Sequence, residues 1–200
     1  MEVFKESYAL ITKFVTSALH YIREGEVESF IKLLVSAYRE GRKVLVIGAG
    51  RSGLVGRAFA MRLMHLGFHV YVLGETIVPA LNPKDIVIAI SGSGRTKLVV
   101  TAAEVAKSVG AYVASLTTYP DSPLGKVSDL IIQIPGRSKV SAEDDYNVRQ
   151  LVGIYEPLAP LGTLFEVTAL VFLDSVISEL MRLLGKTEDD LKKMHANIEI

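Results

Sequence analysis

Two stretches of sequence decide the fold of this chain: VLVIGAGRSG at residues 44–53 and IVIAISGSGRT at residues 86–96. Each begins as an unbroken apolar run, which is typical of a strand buried on both faces. Each then passes through a glycine turn into sequence with helical spacing. This arrangement brings backbone N–H groups to one place, at the positive end of the helix dipole. Four side-chain hydroxyls add donors there: Ser52, Ser91, Ser93 and Thr96. Together these features predict a phosphate site.

Strands and helices alternate around these turns. Short runs of Val, Ile and Leu predict strands at 43–47, 69–73, 85–90, 112–116 and 130–134. Helical spacing predicts helices at 52–66 and 96–109. Because the strands are continuously apolar, we expect an α/β three-layer sandwich of the flavodoxin-like or Rossmann-like type, with a parallel sheet between helices.

Helical patterns also flank this region. Apolar spacing predicts two N-terminal helices at 6–23 and 27–39, with Gly41 as the stop of the second. An almost all-round apolar helix is predicted at 164–184, which favours burial in a core or an oligomer interface. A short helix follows at 187–193.

Length and composition limit the function. Two hundred residues predict one domain, with a helical segment at 1–41 and an α/β part at 42–200. The 22 basic and 22 acidic side chains balance, which argues against nucleic acid as a partner. There is no cysteine, so disulfides, thiolate metal sites and cysteine nucleophiles are excluded. No secretion signal is visible and the apolar helix contains charges, so we expect a cytoplasmic protein without membrane contact.

The turns permit two other interpretations. Residues 48–53 form a GxGxxG pattern after a strand, and Glu75 lies near the end of the next strand, as in a dinucleotide site with its ribose-binding acid. The second glycine turn favours instead a single phosphate held between two loops, because a dinucleotide fold does not need a serine-rich turn after a later strand. A purely structural alternative is that the serines cap the helices, although the second turn has more hydroxyls than a cap needs.

The second turn, ISGSGRT at 90–96, resembles the signature of sugar isomerase (SIS) domains. Further stretches resemble one subfamily, the 6-phospho-3-hexuloisomerases: GAGRSG at 48–53, FAMRLMHLGF at 59–68, GET at 74–76, PLGTLFE at 160–166 and MHAN at 194–197. The resemblance implies a five-stranded parallel sheet, no cofactor and a homotetramer. It also implies the interconversion of 3-hexulose 6-phosphate and fructose 6-phosphate, a step of the formaldehyde-fixing ribulose monophosphate pathway.

Moving a carbonyl from C3 to C2 requires a group that takes a proton from one carbon and returns one to its neighbour through an enediol. Glu166, in the first turn of the apolar helix, matches the family's base. Its residue type and position alone fit equally an acid placed favourably at a helix N-terminus. His195 matches a histidine that opens the sugar ring from a neighbouring subunit. Without the resemblance, it would be interpreted as a solvated surface residue.

The remaining predicted contacts surround the phosphate and the sugar: Gly50, Arg51, Ser52, Glu75, Ser91, Gly92, Ser93 and Thr96. Arg51 is expected to screen phosphate charge or to face solvent, and Glu75 to touch sugar hydroxyls. The histidines have no metal-ligand spacing, so no metal is predicted. Two alternatives to the isomerase stay open: a non-catalytic phosphosugar-binding regulator and an NAD-dependent oxidoreductase.

Overall fold

The computed structural model describes residues 1–136 and 158–195. Its strands are β1 (Val44–Gly48), β2 (Val70–Val72), β3 (Ile86–Ile90), β4 (Tyr112–Thr117) and β5 (Leu130–Gln133). They form one parallel sheet in the order β2-β1-β3-β4-β5. The predicted five-stranded parallel sheet is therefore confirmed.

Helices cover both faces of the sheet. One face carries α2 (Glu24–Glu40), α3 (Gly50–Leu66) and α6 (Thr163–Leu184). The other carries α4 (Lys97–Ser108) and α5 (Pro123–Val127). Two further helices pack outside the first layer, α1 (Glu2–Ala18) on α6 and α7 (Glu188–Met194) on α3.

The strands are apolar throughout because each face has its own core. Along β1, Val44 and Val46 pack with the first helix layer, whereas Leu45 and Ile47 pack with the second. Both sets are removed from water, so the sequence cannot alternate between apolar and polar residues.

Aromatic rings join the helices of the first layer. Phe30 of α2 is fully buried, and its ring centroid lies 6.3 Å from those of Phe59 on α3 and Phe172 on α6. Since α6 packs against α1, α2 and α3, it is covered on several sides. This explains its almost all-round apolar sequence. In the described part of the chain, no helix combines the length and apolarity that a bilayer crossing needs.

Two helices differ from the prediction. The sequence predicts the first helix at 6–23, but α1 ends at Ala18, where the N–H of Tyr21 donates to the Ala18 carbonyl at 3.0 Å. This turn brings Ile22 onto the core. The short α5 is not predicted, although Ser122 caps it by accepting from the N–H of Gly125 and proline follows directly.

The other elements coincide with the predicted ones to within one helical turn. The connection between β5 and α6 is described only at its two ends, because residues 137–157 lie outside the described residues.

Candidate functional site

A cavity of about 490 Å³ lies at the carboxyl ends of β1 and β3. The two strands are paired with Gly48 opposite Ile90, so the glycine turns that follow them leave the sheet side by side. Ligands of open α/β sheets bind at this edge. The lining includes these predicted site residues: Gly50, Arg51, Ser52, Ser91, Gly92, Ser93, Thr96 and Glu166.

The second turn is held in shape by its own hydroxyls. The Oγ of buried Ser91 accepts from the N–H of Gly94 at 3.1 Å and lies 3.1 Å from Oγ1 of Thr96. The Oγ of Ser93 accepts from the N–H of Arg95 at 3.2 Å. Ser91 therefore fixes the turn, whereas Ser93 and Thr96 lie on the cavity wall with partial exposure.

The serines of these turns do not cap the helices. Helix α3 starts after Ala49 and α4 after Thr96, and neither N-cap side chain makes a capping hydrogen bond. The explanation that these serines cap the two helices is therefore wrong. The first N–H groups of a helix have no partner within that helix. Both helix starts lie at the cavity, where they favour an anion.

Glu166 faces these turns from the first turn of α6. Its carboxylate Oε2 accepts from Nε of Arg51, and its N–H donates to the Gly162 carbonyl at 3.0 Å. The Glu166 side chain is 12% exposed, whereas that of Arg51 is 58% exposed. The arrangement places a shielded carboxylate next to the two helix starts, with a solvent-facing arginine between them.

Two predicted site residues lie outside the cavity of their own chain. Glu75 is exposed and pairs with Arg57 on α3. His195 follows α7, and its ring centroid lies 4.2 Å from that of buried His65. His65 is near the C-terminal end of α3, whose N-terminal end forms the cavity. Because a helix rises 1.5 Å per residue, His65 is roughly 20 Å from the cavity along α3.

Sequence reasoning missed part of the wall. Thr118 and Tyr119 line the cavity from the loop after β4. The Oγ1 of Thr118 donates to the Ile134 carbonyl at 2.9 Å, which ties together the exits of β4 and β5. Their position in the sequence could have identified these two residues, because a polar run directly after an apolar strand lies at the ligand-binding edge of such a sheet.

Metal ligands do not gather at this site. Within residues 1–136 and 158–195, no three His, Asp or Glu side chains converge as a candidate metal site. The described lining of the cavity instead combines hydroxyls and helix N-termini with the carboxylate of Glu166 and the guanidinium of Arg51.

Comparisons with known proteins agree on one family. The SIS domain family matches residues 37–161. A Bacillus subtilis protein named 3-hexulose-6-phosphate isomerase is 40% identical over 97% of this chain and 98% of its own length. A crystal structure of a hypothetical protein has a TM-score of 0.86 and 38% identity, covering 100% of this chain and 99% of that one. The crystal structure of a hypothetical protein from Methanococcus jannaschii has a TM-score of 0.77 and 33% identity, covering 96% of this chain and 99% of that one. Its description infers a molecular function of 3-hexulose-6-phosphate isomerase for that protein.

The geometry of the second turn requires glycine at position 94. Its φ is +62°, and a Cβ there would lie 1.9 Å from Oγ of Ser122. We expect Gly94→Ala to lower the free energy of unfolding by about 2–4 kcal/mol, through left-handed strain and overpacking. Urea unfolding measures the loss. The control is Gly25→Ala in α2, where a Cβ meets nothing within 4 Å and stability should be unchanged or slightly higher. Equal effects of the two substitutions would contradict the requirement for glycine at position 94.

Proposed function

This chain belongs to the SIS domain family, and we propose that it is a phosphosugar isomerase that interconverts 3-hexulose 6-phosphate and fructose 6-phosphate. The observation that carries the proposal is the shared cavity of two phosphate-type turns and the carboxylate of Glu166. The relatives support the choice of sugar, since the B. subtilis protein is named for this reaction.

In the proposed complex, the phosphate lies between the starts of α3 and α4. Ser52, Ser93 and Thr96 donate hydroxyl hydrogen bonds to it, and the backbone at Gly50 and Gly92 allows it to approach closely. Hydrogen bonds to a charged group are the stronger class, and two helix dipoles add to them. The buried Ser91 acts mainly by holding the turn, through the Gly94 and Thr96 contacts described above.

Glu166 is the proposed base. Its carboxylate removes the proton from C2 of 3-hexulose 6-phosphate, and the electron pair moves toward the C3 carbonyl to give the enediolate. The hydroxyl proton on O2 passes to O3, and protonation of C3 by the same group, with the C2 oxygen becoming the new carbonyl, completes fructose 6-phosphate. Oxidation at C2 and reduction at C3 balance within one molecule, so the reaction needs no redox cofactor.

His195 is proposed to act in a neighbouring subunit's cavity, because in its own chain it lies beside His65, far from Glu166. This requires a homo-oligomer, which we propose to be a tetramer with closed symmetry. Fructose 6-phosphate closes a five-membered ring through its 5-hydroxyl and has to be opened. The 3-ketose cannot close the corresponding ring, since its 6-oxygen carries the phosphate.

The phosphate site predicts a loss of affinity in Ser93→Ala. Removing one hydrogen bond to a charged group costs roughly 1.5–3 kcal/mol, so fructose 6-phosphate should bind more than tenfold more weakly. Calorimetric titration measures the affinity. Ser108→Ala, at the far end of α4, is the matched control and should bind as the unmodified protein does. Unchanged affinity of a folded Ser93→Ala protein would rule out this assignment.

The proposed base predicts a loss of turnover without a loss of binding. Glu166→Gln keeps the shape of the side chain and removes the base, so kcat should fall on the order of 10²–10⁴-fold in both directions. A coupled assay measures turnover. Glu179→Gln, exposed on the same helix, should retain full activity. Near-normal turnover in Glu166→Gln would eliminate Glu166 as the base. An unmodified protein that binds fructose 6-phosphate but does not convert it would favour the regulator alternative.

The proposed subunit arrangement predicts complementation. His195→Ala should slow the reaction from fructose 6-phosphate more than its reverse. When Glu166→Gln and His195→Ala subunits are dissociated and reassembled together, random mixing should restore about a quarter of the sites, since each complete site draws its two residues from different subunits. Activity after mixing measures this, with separately reassembled parents as the control. No recovery in verified hybrids, or a fully active monomer in light scattering, would contradict the arrangement.

A further inference from the structure

Phe165 occupies the junction between α6 and the second turn. It precedes Glu166 in the chain, is 4% exposed and lines the cavity. A Cβ built at Gly92 would lie 2.9 Å from Cδ1 and 3.0 Å from Cγ of its ring. A Cβ at Gly136, after β5, would lie 3.0 Å from the Cβ of Phe165. Two segments of backbone therefore pack directly on this side chain, at distances that leave no room for another carbon.

Gly92 is itself fixed to the sheet. Its carbonyl accepts from the N–H of Thr118 at 3.1 Å and from Oγ1 of Thr117 at 3.4 Å. The N–H of Ser91 donates to the Leu116 carbonyl at 3.1 Å. The second turn is thus hydrogen-bonded to the end of β4, and the ring of Phe165 packs on this anchored turn.

The carboxylate of Glu166 lies close to the backbone at the start of α6. A Cβ at Gly162 would lie 2.9 Å from Oε1, so the absence of a side chain there leaves room for the carboxylate, and Arg51 contacts Oε2. The distance of the carboxylate from the second turn depends on where the first turn of α6 lies, and Phe165 is the residue of that helical turn that packs on Gly92.

We propose that Phe165 is a positioning residue that sets the distance between the carboxylate of Glu166 and the turn at residues 91–96. This rests on the proposed function, in which the turn holds the phosphate on C6 while Glu166 reaches the proton on C2. A rigid spacing is required because both ends of one substrate are engaged at the same time. A misplacement of about 1 Å can cost on the order of a hundredfold in rate.

Phe165→Leu tests the proposal because it keeps an apolar side chain and removes the ring. We expect kcat to fall at least tenfold, while KM and the inhibition constant of inorganic phosphate change less than threefold. The control is Phe172→Leu, two turns along the same helix, 7% exposed and packed on Phe30 away from the cavity. It loses the same ring from the core, and its kcat should stay within twofold of the unmodified enzyme. Thermal unfolding verifies that both variants are folded.

Gly92→Ala changes the same contact from the side of the second turn, so a second variant tests the proposal independently. Its methyl group meets the ring of Phe165, and kcat should fall at least tenfold. In the double variant Gly92→Ala/Phe165→Leu the smaller side chain gives the methyl group room. The two losses should therefore not multiply, and the double variant should match Phe165→Leu alone.

Three results would overturn the proposal. They are a full kcat in Phe165→Leu, an equal loss in Phe172→Leu, and losses that multiply in the double variant. An unmodified enzyme that does not convert 3-hexulose 6-phosphate would overturn the proposed function and this inference together. Normal turnover in the unmodified enzyme with any of the three results overturns the positioning role alone.

Discussion

The parallel pairing of β1 with β3 is the constraint on which the rest of the structure depends. Because β2 lies on the other side of β1, the chain returns past β1 to add β3. The connections from β1 and β3 therefore cover opposite faces, with α3 in one core and α4 in the other. At such a switch point the two following turns diverge and leave a crevice between them. The proposed phosphate site needs both helix starts, and this pairing places them together.

The sequence predicted well the strands and helices whose burial pattern is visible in neighbouring residues. Apolar runs located the five strands because a strand buried on both faces is apolar throughout. Helical spacing located α3, α4 and α6 because the buried side of a helix recurs with the helical period. The sequence predicted less well the elements whose ends or existence depend on the packing or capping of a single residue. Helix α1 ends at a turn that depends on packing of Ile22, and α5 depends on a single capping serine. Contacts between distant segments, such as Arg51 with Glu166, leave no local pattern at all.

The GxGxxG pattern shows how one signal fits two explanations. A Cβ at Gly48 would lie 2.8 Å from the backbone N of Gly53, so the pattern is required wherever a strand passes this tightly into a helix. Glu75, which would complete a dinucleotide site, is paired with Arg57 and does not line the cavity. The sheet order also differs from that of the dinucleotide fold, 3-2-1-4-5-6. The glycine spacing thus indicates a close approach between two backbone segments, whereas the surrounding side chains determine which phosphate compound fits.

Charge divides the cavity into two walls, and Arg51 lies between them. The starts of α3 and α4 favour an anion on one wall, while Glu166 carries negative charge on the other. In the proposed reaction, a phosphate dianion and the carboxylate would both attract the same guanidinium. The arginine's contact with Glu166 would then weaken on phosphate binding, because a charged hydrogen bond gained on one side competes with that on the other. Binding energy from the phosphate, which does not react, would thereby free the carboxylate for the proton on C2. The carboxylate consequently needs a second, uncharged constraint, because once its arginine partner is shared, the packing of α6 against the second turn has to keep it in place.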